Sequence, residues 1–89
     1  MGVVNMQHLQ SFRTVALTKN YREAAARLNL SISAISRHIT ALEDSFQQRL
    51  LIRTNKGLEL TEAGRLVYQF AEQTMLLTSR LLGDLEKLQ

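Results

Sequence analysis

Eighty-nine residues with a net charge of +3, 45% hydrophobic and 21% charged, describe one small globular domain with a modest core and no room for a separate substrate domain. The sequence has no cysteine, so disulfides are excluded and a reducing compartment is permitted. No apolar run approaches the roughly 18 residues that a membrane helix needs, no signal peptide is visible, and the charge is a mild excess compatible with a polyanionic partner.

Met1 to Asn5 precede a second methionine and carry no pattern, so they read as an extension outside the fold. Leu9, Phe12, Val15 and Ala16 then repeat at helical spacing, predicting a first helix over about Met6 to Thr18, broken at Lys19 and Asn20. Asn20 with Glu23 fits a capping box for a second helix, Tyr21 to Leu28. Its Ala24-Ala25-Ala26 run lets another helix axis approach closely. Asn29 stands where a tight turn needs a left-handed backbone, and Ser31 caps the third helix. Helix, short turn, helix is the helix-turn-helix unit.

In that third helix Ile35, Ile39, Leu42 and Phe46 line one buried stripe. Ser33, Arg37 and Thr40 lie on the opposite face with Ser36 at its margin, while Asp44 sits on the same side further along. Its amino-terminal half is therefore suited to lie against nucleic acid, as a recognition helix does; the competing reading is an ordinary helical hairpin with a solvated outer face. From Arg49 to Leu60 the period changes, and Asn55-Lys56-Gly57 marks a turn between two short antiparallel strands. A hairpin directly after a recognition helix is a wing. Lys56 at its tip and Arg53 at its base can reach a phosphate or a minor groove, or can simply be solvated.

Thr61 caps the last helix, with Glu62 in the first turn and Gly64 placed for a close approach to the first helix. Apolar residues at Leu66, Val67, Phe70, Leu77, Leu81, Leu85 and Leu88 keep helical spacing, broadened by Leu76 and Leu82. A helix from Glu62 to Gln89 would be about 40 Å long, more than a small three-helix core can cover. The surplus apolar face calls for a second chain, most simply a symmetric helix pair. Folding back would need a break, for which Gly83 is the candidate. The final residues still read as helix, so the chain is expected to be a fragment or to have lost a further domain.

No catalytic chemistry is visible. Ser36 and His38 point to different helix faces with no acid to complete a relay, two histidines without cysteine make a poor metal set, and the four glycines form no phosphate loop. An enzyme is not expected, and no cofactor is expected in this domain.

Several blocks resemble the amino-terminal DNA-binding domain of LysR-type bacterial transcriptional regulators, followed by its linker helix. They are Leu9 and Phe12, Ala24-Ala25 with Leu28, the run from Ser31 through Ala34-Ile35-Ser36-Arg37 and Ile39 to Leu42-Glu43, then Arg49-Leu50, Arg53-Thr54 and Leu60-Thr61-Glu62-Ala63-Gly64. The resemblance implies a mainly α fold with a small β-hairpin: a winged helix-turn-helix over residues 6–61, then a dimerisation helix over 62–89. It also implies double-stranded DNA as partner, a homodimer that in the full-length protein assembles into tetramers, a small-molecule effector bound by an absent domain, and a bacterial cytoplasmic, nucleoid-associated setting. Carried onto this chain, Ser33, Ser36 and Arg37 project into the major groove, Thr40 and His38 flank them, and the helix terminus at Ser31 and Ile32 offers backbone donors to phosphate. Arg53, Thr54 and Lys56 form the wing contact, and Leu66, Phe70, Leu77, Leu81, Leu85 and Leu88 form the dimer stripe. Two of these residues have structural alternatives: Arg53 at a strand end can instead brace the domain through backbone carbonyls, and His38 can equally be an ordinary boundary histidine.

The sequence departs from the family pattern in places. Ile32 replaces a usual glutamine, although isoleucine can touch a thymine methyl. Ser33 stands where proline or serine is usual. Gln47 replaces the usual glycine after the recognition helix, Leu51 replaces a usual phenylalanine, and Arg22 occupies a usual Thr or Ser cap position.

Overall fold

The computed structural model describes residues 4–89; Met1 to Val3, part of the expected extension, lie outside the described residues. The elements run α1 (Met6–Thr18), α2 (Tyr21–Leu28), α3 (Ile32–Phe46), β1 (Leu51–Thr54), β2 (Gly57–Leu60) and α4 (Glu62–Glu86). This is a winged helix-turn-helix followed by a long carboxy-terminal helix. α1 packs across both α2 and α3, and the core forms where Leu9, Phe12 and Val15 of α1 meet Ala24 and Ala25 of α2 and Ile35, Ile39 and Leu42 of α3. The two buried alanines are the close approach expected of the Ala24-Ala25-Ala26 run, whereas Ala26 is exposed. Phe46, the last residue of the α3 stripe, is only half-buried, because the core ends before it.

Each helix begins on a side-chain cap. Asn20 Oδ1 accepts from the Glu23 amide at 2.9 Å, Ser31 Oγ from Ala34 at 3.1 Å and Thr61 Oγ1 from Gly64 at 2.9 Å. Two expectations change here. The capping box at α2 is half-formed: the Glu23 carboxylate pairs with Arg27 at 3.1 Å, and the Asn20 amide donates to Thr18 Oγ1 at 3.3 Å. Asn5, set aside as part of an extension, is the cap of α1, its Oδ1 accepting from the Gln7 and His8 amides at 2.8 and 3.1 Å, and Val4 packs on the core beside it. The ordered domain therefore starts before Met6.

α1, α2 and α3 all end on a residue in the left-handed region: Lys19, Asn29 and Gln47, with φ of 55°, 57° and 55°. Asparagine tolerates this conformation; lysine and glutamine adopt it at roughly 1–2 kcal/mol each. Gln47, in the place of a usual glycine, keeps the glycine-like backbone, and its Nε2 donates to the Asp44 carbonyl at 2.7 Å.

The hairpin pairs Leu51 with Leu60 and Arg53 with Leu58 across the Asn55–Lys56 turn. Leu51 and Leu58 are buried on its inner face, while Ile52 is exposed on the other. Gly57, at φ 107°, takes the turn back into β2.

Gly64 makes a close contact, but not with α1. A Cβ there would collide with the carbonyl oxygen of Leu50, so the start of α4 is pressed against the backbone just ahead of β1. α4 runs unbroken through Gly83 and ends at Glu86, leaving Leu88 just beyond the helix. Its first turns pack inward through Gly64, Val67, Tyr68 and Ala71. From Leu76 to its end every helical residue except Gly83 is exposed.

The two glycines of α4 should respond in opposite senses to alanine. Gly64→Ala is expected to destabilise the fold by about 1–3 kcal/mol through the backbone collision. Gly83→Ala, which meets nothing, should stabilise it by up to about 1 kcal/mol by removing an interior helical glycine. Chemical denaturation of the two variants checks both signs.

Candidate nucleic-acid interface

α3 divides cleanly into two faces. Ile35, Ile39 and Leu42 are buried at 0–3% exposure, whereas Ser31, Ile32, Ser33, Ser36, Arg37 and Thr40 are exposed. The structure thus brings together on one surface the residues at the amino-terminal half of the helix that the sequence nominated. Ser31 Oγ serves as the helix cap and lies 3.2 Å from Ser33 Oγ. Arg37 forms no ion pair among the described residues, so its guanidinium keeps its full hydrogen-bonding capacity.

His38 is placed differently from its neighbours. Its Nδ1 lies 2.7 Å from the Ser11 hydroxyl on α1, and its ring stacks on His8 with centroids 4.6 Å apart. It ties α3 to α1 instead of standing out with Arg37. Ser11 is fully buried and His38 partly so, which makes this pair a tie between α1 and α3 within the packing of the domain. Sequence reading had no signal for it, because the two residues are 27 positions apart.

The wing presents its cations freely. Lys56, at the tip, and Arg53, on β1, are exposed and form no ion pair among the described residues. Arg53 also makes no bracing hydrogen bond to a backbone carbonyl among these residues; the arginine nearest that role is Arg49, whose Nη2 lies 3.4 Å from the Leu51 carbonyl. Thr54 is occupied within the hairpin: its hydroxyl lies 2.6 Å from Glu59 Oε2 and accepts from the Lys56 amide at 3.1 Å. Thr54 therefore shapes the tip that carries Lys56.

Sequence reading missed a cleft of about 300 Å³ between the start of α2, the start of α3 and the wing, lined by Lys19, Asn20, Tyr21, Arg22, Ile32 and Arg53. Lys19 and Arg22 join the cationic surface only because the left-handed turn at Lys19 places the α1–α2 corner beside α3, which periodicity does not reveal. Burial holds the Tyr21 phenol above its usual range, with Glu43 adding to the rise and Arg53 and Arg49 opposing it.

The second predicted surface is the stripe on α4. Leu66, Phe70, Leu77, Leu81 and Leu85 are exposed, and so is Leu88 beyond the helix end. Leu66 and Phe70 also border a groove of about 220 Å³ closed by Val4, Phe46 and Val67.

Burial lowers the His38 pKa below the ordinary 6.5, and the charges of His8 and Arg37 push it the same way. The folded protein therefore favours neutral His38. The contribution is intact above about pH 6.5 and is lost as pH falls through that value toward the folded pKa. Thermal melts should show stability dropping between about pH 7 and pH 5.5, and His38→Gln should flatten that drop.

The model of the bacterial regulatory helix-turn-helix proteins of the lysR family matches residues 6–65. The transcriptional activator IlvY of Salmonella typhimurium is 32% identical over 84 residues, covering 94% of this chain and 28% of the relative. The chain thus spans little more than a quarter of that protein's length. Among solved structures, Vibrio fischeri DarR in complex with DNA superposes with a TM-score of 0.87 at 31% identity, covering 99% of this chain and 30% of that one. The CbnR DNA-binding domain in complex with DNA superposes at 0.82 and 34% identity, covering 94% and 95% of the two chains. With a family match over most of its length and a fold that follows these domains from α1 into α4, the chain belongs to the lysR family of bacterial helix-turn-helix regulators.

Proposed function

We propose that this chain is the DNA-binding domain of a transcriptional regulator that binds double-stranded promoter sites in a sequence-specific manner, as a dimer, and is not an enzyme. The observation that carries the reading is the amino-terminal half of α3. Short hydroxyl side chains and the unpaired Arg37 are exposed there directly above a fully buried aliphatic stripe. Such a face lets the helix approach base edges closely, with Arg37 able to bridge a guanine or a phosphate. Lys56 and Arg53 flank it from the wing, where positive charge positions a protein on the sugar–phosphate backbone. The DNA complexes of DarR and CbnR support the same assignment by likeness.

The dimer reading rests on α4. Leu77, Leu81 and Leu85, exposed at 63, 57 and 49%, line up on a part of the helix that is left uncovered among the described residues. Each leucine taken from water into a helix–helix seam is worth up to about 1.5–3 kcal/mol, enough in sum to hold two copies together. The full-length regulator, on this reading, binds a small metabolite through a domain outside this chain, assembles into tetramers and acts at the bacterial nucleoid.

Binding to promoter-length duplex should weaken steeply with added salt, because each neutralised phosphate releases counterion. Arg37→Ala is expected to reduce specific binding by about 1–3 kcal/mol, and Lys56→Ala to weaken all sequences about equally while lowering the salt slope by about one. Fluorescence anisotropy against salt measures both. No binding at low salt, or binding indifferent to salt, would point instead to a protein-docking module built on the same surface. Light scattering at micromolar concentration should give a dimer, and Leu77→Glu with Leu81→Glu should give a monomer with an unchanged circular dichroism spectrum; a parent chain that is already monomeric would refute the α4 seam.

A further inference from the structure

We propose that Ile32 reads a thymine in each half-site through its 5-methyl group, while Lys19, Arg22 and Arg53 hold a backbone phosphate beside it. The inference rests on the DNA-binding reading and specifies one base and one phosphate within it. Ile32 is the first residue of α3 and is 43% exposed. Ser31, Ser33, Ser36 and Arg37 around it are polar and also exposed. It is therefore an apolar side chain on an otherwise polar helix end, placed past the point where the buried stripe of Ile35 and Ile39 has core to cover it.

Isoleucine has no donor or acceptor, so the hydrogen-bonding code of the base edges is closed to it. In the major groove the one apolar group of an unmodified base pair is the thymine methyl. The surroundings of Ile32 suit the same ligand. It lies in the cleft with Lys19, Arg22 and Arg53, contributed by three separate elements, and no carboxylate lines that cleft. None of the three cations forms an ion pair among the described residues, so their mutual repulsion is relieved when an anion enters. An apolar centre beside a cationic rim matches a nucleotide that presents its methyl to the centre and a phosphate to the rim.

The test begins with a duplex selected from a random pool by the 89-residue chain, in which each thymine of one half-site is then replaced by uracil, which lacks only the methyl. At one position uracil should weaken binding about fourfold, the effect of one methyl removed from an apolar contact. That loss should vanish in Ile32→Ala, and Ile32→Gln should shift the preference at that pair toward adenine. Arg22→Ala should weaken thymine and uracil duplexes by the same factor and lower the salt slope. Uracil tolerated at every position, or an equal uracil penalty in the parent and Ile32→Ala, overturns the methyl contact. Unchanged affinity in Arg22→Ala overturns the phosphate contact. Failure to select any duplex would sink the DNA-binding reading itself, whereas a tight duplex indifferent to uracil sinks the thymine contact alone.

Discussion

The backbone of Leu50 is the point on which the arrangement of the surface elements depends. Its amide donates to Glu43 Oε2 at 2.8 Å, and its carbonyl accepts from the Thr61 amide at 3.0 Å. The Thr61 hydroxyl donates to the Arg49 carbonyl at 2.6 Å and accepts from Gly64 at 2.9 Å. One short segment is thus bound to the last turns of α3, to the end of β2 and to the start of α4. The Leu50 side chain is fully buried, so these polar groups sit against the core, where an orphaned partner costs about 1–3 kcal/mol. Glu43, only 17% exposed and 3.4 Å from Arg49 Nε, cannot leave without exposing that deficit. The wing and α4 are consequently tied to the last turns of α3, which fixes where Lys56 stands relative to Arg37.

A second tie holds α4 to α1. Arg13 Nε lies 3.1 Å from Glu72 Oε2, and the Tyr68 hydroxyl donates to Glu72 Oε1 at 2.6 Å. The Tyr68 hydrogen bond, and then Arg13, hold the Glu72 carboxyl below its usual range. Arg13 Nε meets Glu72 as an ion pair across the α1–α4 contact. This contact falls in the part of α4 that still packs on the domain, a turn before the helix projects into solvent. The projecting leucines are thereby carried on a rigid base.

Much of this was legible in the sequence, and what was not has a common cause. Caps at Asn20, Ser31 and Thr61, the left-handed Asn29 and the hairpin around Asn55–Lys56 are local: one or two side chains decide them within a few residues. The amphipathic stripe of α3 is also local, since period alone separates Ile35, Ile39 and Leu42 from Ser33 and Arg37. The misses are contacts between residues far apart in the chain. Ser11 reaching His38 and Lys19 sharing a cleft with Arg53 depend on how the elements pack, and no spacing rule encodes that. Gly64 is instructive, because a close approach was expected from its identity, yet the neighbour was the Leu50 backbone just ahead of β1 and not α1. Asn5 was missed for a different reason: a cap is a single residue without periodicity, easily set aside with an unpatterned terminus.

The two surfaces proposed to be functional are built on opposite physical terms. On α3 the exposed groups are small, and the fold is held by the aliphatic residues beneath, so Ser33, Ser36 and Arg37, unlike the cap Ser31, can be exchanged with little effect on stability. On α4 the exposed groups are large and apolar, and none of the described residues covers them. α4 changes role near Met75: Val67, Tyr68 and Ala71 before that point pack on the core, whereas Leu76, Leu77, Leu81, Leu82 and Leu85 beyond it are all exposed. Gly83, the candidate break, leaves the helix unbroken, so the outer leucines are not folded back onto their own domain. An apolar face left uncovered among the described residues is the feature on which the proposed α4 pairing rests.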